Sequence, residues 1–360
     1  MKTFIRFTLL TSALAIGLLG LHNVSDAGKP APPPAFPPMP IDYKVTWLRA
    51  PNGTANTQAT SLNDSGTVAG YYADANGQTR ACMWTAGGVY DLNGLVSVPD
   101  GWVLVTARAI NNSGQIAGSA KHQVTGLVRV YRYDPATVLT PAQVTLMGDS
   151  TSSVRHQIAY IRPLNNLGDV AYSMSPAVGT VTSYVQTMAG NVFELPGYGF
   201  SSISDSRQLV GGNIRWTVST GQVEVFSSTL KAFDVNVDGY FTGRVNTNGR
   251  TYKALRYKSS AQAIGPASSF GFGINSSSDI VGDVGNTGVG FIYTDTYGYV
   301  DLDTRVTGVN DDLALWYSAT AIQPLKITDH AAGNFGEICG TGYFSGNVNL
   351  AFVLTPIPIP

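Results

Sequence analysis

The chain has 360 residues, 44% of them apolar and only 12% charged, with 40 Gly, 19 Pro and a formal net charge of −1. The charged fraction is about half the usual ~25%, and without a cationic excess the composition excludes a basic nucleic-acid binder. Abundant apolar and aromatic residues exclude a long disordered chain, so much Gly with so little Glu excludes coiled coils and helix bundles, and length alone suggests about two domains.

Residues 1–27 read as a secretory signal. Lys2 and Arg6 precede a mostly apolar stretch over 7–21, and Ser25 and Ala27 are the small residues a signal peptidase reads. No other segment approaches the ~20 apolar residues of a membrane span, so no span is expected, and no Cys near the cleavage point suggests a lipid anchor. Residues 28–41 hold seven of the 19 prolines and read as a stiff polyproline tether. The expected domain is therefore 42–360, in an extracellular or periplasmic setting and as a monomer. In that setting the only two cysteines, Cys82 and Cys339, could form a disulfide; the alternative is two buried thiols.

The strongest signal is a repeat. It runs SLNDSGTVAG (61–70), AINNSGQIAG (109–118), PLNNLGDVAY (163–172), SISDSRQLVG (202–211), DVNVDGYFTG (234–243) and GINSSSDIVG (273–282), with a looser seventh copy ending NFGEICG (334–340). If the turn position is Gly66, Gly114, Gly168, Arg207, Gly239, Ser278 and Gly336, the residue two further on is always apolar, and the residue four further on is Gly in all copies but the third, where it is Tyr172. Three residues before the turn position, Asn63, Asn111, Asn165, Asn236 and Asn275 form an Asn column. Asn and Gly tolerate left-handed backbone, so each copy reads as a β-hairpin. The second Gly column, inside a strand, marks a close approach of another backbone.

The first copy extends to four short strands joined by tight turns, one blade of a β-propeller. The expected fold is all-β: a seven-bladed β-propeller of four-stranded antiparallel blades, with about 45.6 residues per blade over 42–360. The short spacing after Arg207 predicts shortened strands in blade four. The long spacing before Gly336 is assigned to a ten-residue insertion, by aligning ATAI (319–322) with ARAI (107–110). Blade seven lacks a fourth strand, and YKVTWL (43–48) lacks a sheet, so the N-terminal strand is expected to complete the last blade and leave no open edge. Closure would also make Cys82 of blade one and Cys339 of blade seven neighbours.

The motif A-x-x-I-N-x-x-G-x-I-x-G, carried by AINNSGQIAG, together with ACMW (81–84), YDLN (90–93), VDLD (300–303) and AFVLTP (351–356), resembles the HAF-repeat family of extracellular bacterial proteins. The resemblance spans nearly all of 42–360, with blade four and the last turn departing most. It implies a secreted propeller-like protein and brings no catalytic residues.

Motifs for zinc peptidases, redox dithiols, serine hydrolases and phosphate loops are absent, and the expected mature chain has three scattered histidines, His122, His156 and His330. Asp234, Asn236 and Asp238 match the opening of a calcium loop, but Val245 stands where the bidentate Glu belongs and the segment is itself a repeat turn, so the turn is preferred over calcium. If the first strand of each blade is innermost, the turns ring the channel mouth with Asn63, Asp64, Asn111, Asn112, Asn165, Asn166, Asp205, Asp238 and Asn275, joined by Lys326, Asp329 and His330 from the insertion. Such a rim could hold a sugar or a cation; plain turn chemistry is the competing explanation. Trp102 and Trp316 precede inner strands and could stack on a sugar or anchor a partner, whereas Trp47, Trp84 and Trp216 are expected in the core. The reading is a non-catalytic binding or scaffold module for an extracellular polysaccharide or surface protein, without a required cofactor. The alternatives are a polysaccharide hydrolase or lyase using Asp residues on one face, and a structural envelope protein.

Overall fold

A computed structural model describes residues 36–148, 154–158, 163–176, 181–249, 251–285, 287–307, 310–330 and 334–359. The expected signal and most of the proline-rich tether lie outside the described residues. The chain is a seven-bladed propeller of small antiparallel sheets. Blade one runs through Thr57–Leu62, Val68–Ala73, Thr79–Thr85 and Gly88–Asp91, in that order from the channel outwards, and blades two to six repeat this plan. Blade four keeps all four strands but shortens them, beginning with the two residues Ser202–Ile203.

Closure is made by the N-terminal strand. Ile41–Leu48 pairs antiparallel with Val348–Pro358 over eight positions, from Ile41 opposite Pro358 to Leu48 opposite Ala351. The strand starts at Ile41, one residue before the expected domain start, and Met39 and Ile41 are buried. A short fifth strand, Val306–Thr307, adds parallel to Ile41–Leu48, and helix α1 (Asn310–Ser318) follows it. Neither is legible in the repeat. α1 is fastened by Trp316, which is 1% exposed and edge-on to Phe352 at 5.3 Å, and by Trp47 Nε1, which donates to the Asp312 carbonyl at 3.0 Å. No helix among the described residues is long and apolar enough to cross a membrane.

Apolar packing lies between blades rather than within them. The described core divides into seven clusters, one per interface. Leu104 and Tyr131 of blade two, for example, pack on Ala69 and Leu92 of blade one. A strand whose two faces both meet neighbours can be apolar on both, which accounts for the low charge. Cys82 and Cys339 share the seam cluster with Trp84 and Ala351 as free buried thiols, the second of the two alternatives the sequence left open. Burial pushes both thiols well above their ordinary range.

The D-L-N segment is a clamp. Asp91 caps a 3-10 turn by accepting from Asn93 N, and Asn93 then exchanges two hydrogen bonds with the Leu104 backbone of blade two, at 2.8 and 3.0 Å. In VDLD, Asp303 stands in the Asn position and accepts from Trp316 Nε1 at 2.8 Å instead.

The second Gly column faces a bulge. The innermost strand carries an extra residue at Thr60, Arg108, Phe233, Phe272 and Leu325 in blades one, two, five, six and seven, with a second in blade two at Val105. The bulge turns a carbonyl onto the facing glycine, so that a Cβ at Gly118 would sit 1.8 Å from Thr106 O, and one at Gly282 would sit 1.9 Å from Phe270 O. Gly118→Ala is therefore expected to cost about 3 kcal/mol or more. Gly77→Ala, at φ +74 with open space around it, should cost only the left-handed penalty of about 1–2 kcal/mol. Urea denaturation of the two variants checks the order; equal costs would contradict the bulge explanation.

Candidate functional site

The repeat turns gather at one end of the channel, as the innermost placement of the first strand requires. Four of the seven turn positions, Gly66, Gly114, Gly168 and Gly239, are glycines at φ 76–79, Arg207 and Ser278 take the same left-handed backbone at φ 55 and 68, and Gly336 in the longer loop of blade seven does not. Arg207 is held there by an ion pair to the buried Asp169 of blade three at 2.7 Å. That pairing also holds the guanidinium above its ordinary pKa.

The Asn column does two jobs at once. Asn111 Oδ1 accepts from Ser113 N and Gln115 N within its own turn, while Nδ2 donates to the Asn165 carbonyl of blade three at 3.0 Å. Asn63 donates to Asn111 O, Asn165 to Ser204 O, Asn236 to Asn275 O and Asn275 to Thr328 O. Each asparagine thus closes one turn and ties it to the next blade. A second tier lies outside the first. The backbone N–H groups of Asp64, Asn112 and Asn166 donate to Asn112, Asn166 and Asp205 Oδ1, and those of Ser276 and Asp329 donate to Asp329 and Asp64 Oδ1. The last of these crosses the seam. The tier is interrupted at blade five, where Val237 offers no side-chain acceptor and Ser206 Oγ donates to its carbonyl instead.

Asn111, Asn112, Asn165, Asn166, Lys326 and Asp329 do come together as expected, around a space of about 70 Å³. This space is about a quarter of the cavity in the other half of the channel, about 280 Å³. Lys326 reaches it from the inner strand Ala321–Ile327, not from an insertion. Ile327 pairs with Ile338 as Ile110 pairs with Ile116, so the loop of blade seven is five residues longer than that of blade two, not ten. The alignment of ATAI with ARAI was out of step because five of those residues extend the strand.

Other expected positions are placed elsewhere. Trp316 is core, as its packing under α1 requires. Trp102 begins the inner strand of blade two, away from the turns, edge-on to His122 with the Arg129 guanidinium 6.0 Å from its ring. Asp234 is fully buried, accepting from Ser202 Oγ of blade four at 2.6 Å and Ile274 N of blade six at 3.0 Å. Asn236 belongs to the ring, and Asp238 is exposed. These hydrogen bonds account for the calcium-like alternation.

The wide half of the channel was not anticipated. A cavity of about 280 Å³ is lined by Gln58, Tyr71, Arg108, Phe272, Gln323 and Tyr343 with their neighbours. Its side chains come from the bulges, from the starts of inner strands (Gln58 and Gln323) and from the second strands of blades one and seven (Tyr71 and Tyr343). One wall is the ring of Phe272, with Phe233 at 5.9 Å and Phe270 at 6.2 Å from it outside the lining. The facing wall is polar. Tyr343 Oη donates to Gln323 Oε1 at 3.1 Å, Tyr71 hydrogen-bonds Gln58, and the Arg108 guanidinium lies 5.5 Å from the Tyr71 ring. The signal for this site was the Gly column, since in five blades such a Gly faces a bulge, and the extra residues Thr60, Arg108, Phe272 and Leu325 line the cavity.

Behind that wall Gln323 Nε2 donates to Asp283 Oδ2 at 3.2 Å, and Asp283 Oδ1 has no partner among the described residues. Burial raises the Asp283 carboxyl to about 6, against a smaller lowering by Gln323. The folded protein therefore holds this proton more tightly than the unfolded chain, and native stability falls as pH rises from about 4 through 6. Asp283→Asn, which keeps an acceptor for Gln323, is expected to gain on the order of 2–3 kcal/mol at pH 7.5 and to flatten that slope. Denaturant titrations at pH 4.5 and 7.5 check this, and an unchanged slope would contradict it.

No family model matches the chain, and no curated protein matches it. Among solved structures the chain is similar in fold to a streptogramin B lyase, with a TM-score of 0.50 and 12% identity over 87% of this chain and 98% of that one. It also aligns with a catalytically inactive virginiamycin B lyase variant from Staphylococcus aureus with quinupristin (TM-score 0.45, 13% identity, 87% and 100% covered). A third match is an Aleuria aurantia lectin variant in complex with alpha-methyl-L-fucoside (TM-score 0.35, 12% identity, 91% and 97% covered). At these identities the likeness concerns the propeller fold alone.

Proposed function

We propose that this protein is an exported, non-catalytic binding propeller that takes a saccharide of an extracellular polysaccharide into the wide half of its channel. The observation that carries the reading is the two-sided cavity of about 280 Å³. A pyranose has an apolar face and a hydroxyl edge; the Phe272 wall suits the first, and the amides of Gln58 and Gln323 with the Tyr343 hydroxyl suit the second. The rigid ring supports it by holding those side chains in place without a ligand. Export is supported by the signal-like 1–27 and the tether after it, and by the resemblance to the extracellular HAF-repeat family. The polysaccharide hydrolase remains the second reading because the raised carboxyl of Asp283 stands directly behind the cavity wall.

A polysaccharide array followed by calorimetry tests both. Binding is expected to at least one glycan, to weaken about tenfold or more in Phe272→Ala, and to occur without turnover of the bound polysaccharide. Turnover that Asp283→Asn abolishes would replace the binding reading with the hydrolase. Affinity unchanged in both Phe272→Ala and Gln323→Ala would remove the channel as the site.

A further inference from the structure

His330, Asn334 and Phe335 of blade seven's longer loop lie against blade six and line, with it, a pocket of about 250 Å³ on the turn face, separate from the channel. Its wall is an inclined row of three rings. Tyr297 of blade six lies 5.7 Å from Phe335, with 36° between their planes, and Phe335 lies 6.4 Å from His330 at 27°. Tyr297 and Phe335 are packed on one side against the core beneath blades six and seven and remain partly open on the other. The row is fixed from below: His330 Nε2 meets Asp279 Oδ2 at 2.7 Å, and Asp279 is in turn held by Asn275 Nδ2 at 3.2 Å, where the Asn ring passes.

The rest of the lining is hydroxyl and amide, from Ser277, Thr294, Thr296 and Asn334. The carboxylates are accounted for. Asp279 pairs with His330, and Asp295 pairs with Arg256 and with Lys258, the latter at 2.8 Å. The pocket therefore presents apolar rings beside neutral hydrogen-bonding groups, with its two described carboxylates already hydrogen-bonded or ion-paired. That combination disfavours a free ion and suits an uncharged polyol with one apolar face. Its volume is below the ~300–1,000 Å³ of sites for drug-sized molecules, which limits the occupant to one or two sugar rings. An added loop on a rigid scaffold is also where binding groups accumulate.

We infer that the pocket between Tyr297 and Phe335 is a second, independent binding site for a neutral pyranoside. It goes beyond the channel reading and does not depend on it, because the two cavities share no lining residue.

Saturation-transfer NMR with methyl pyranosides of gluco, galacto, manno and xylo configuration tests the site. At least one is expected to show transfer that persists in the channel variant Phe272→Ala. That signal should fall fivefold or more in Tyr297→Ala and Phe335→Ala and survive in Phe335→Tyr. Since both rings also touch the core, Asn334→Ala, a change at an exposed side chain, gives a reading that does not disturb packing and should weaken the same signal. Transfer that is absent from the Phe272→Ala protein with all four sugars, or that is unaffected by Asn334→Ala and by whichever ring variants fold, overturns the proposal. Transfer that Phe272→Ala abolishes would leave the channel site standing and remove this one.

Discussion

The structure depends on burying both faces of every blade. A single four-stranded sheet of this composition would expose apolar side chains on each side, and only a closed ring gives every blade two neighbours. The seven interface clusters are the result, and closure at the seam is part of the same requirement. Without Ile41–Leu48 the last blade would end on the open edge of Val348–Pro358, and Tyr43 and Val45 would leave the cluster they share with blade six. The extra parallel strand and α1 cover the outer side of that joint with the largest buried ring in the fold, Trp316.

Where the inner strands end, the same ring is held by polar atoms. The asparagines caught in the repeat resemble ligand groups, and their chemistry is indeed binding, but their ligand is the next blade. A side-chain amide has an acceptor and a donor at a fixed separation, so Asn111 can cap its own turn and still reach Asn165. Ser204 shows the need for both: its hydroxyl closes the turn of blade four, but blade five is reached by Ser206 instead. Substituting Asn111 would leave several buried backbone groups unpaired at once, whereas Asn112 faces water and is replaceable by it.

Candidate function lies where the repeat stops repeating. The bulge is common to the described inner strands of blades one, two, five, six and seven, but its extra residue varies from Thr60 to Arg108 to Phe272, and this variation gives the channel an aromatic side and a polar side. The loop of blade seven departs from the pattern in length, and the pocket against Tyr297 exists because of it. The conserved geometry supplies rigidity, and the departures from it supply chemistry.

Blade number, strand order, closure and the shortened blade four were legible in the sequence because a local rule recurs around the ring: left-handed residues make six of the turns, and in six blades a glycine admits a close backbone. The turn residues were rightly located at one channel end, yet their role could not be read, since a capped turn and a ligand rim use the same Asn and Asp. Tertiary structure decided whatever depends on blades meeting. It set the register of Ala321–Ile327, which an alignment of short apolar strings displaced by five residues, and it made a strand of Val306–Thr307 and a helix of Asn310–Ser318, which no repeat copy foreshadows. It placed Trp316 in the core and both cysteines in one cluster as thiols. It alone brought Gln58, Phe272 and Gln323, residues of three blades far apart in the chain, to the wall of one cavity, because their distance is set by ring closure and not by sequence separation.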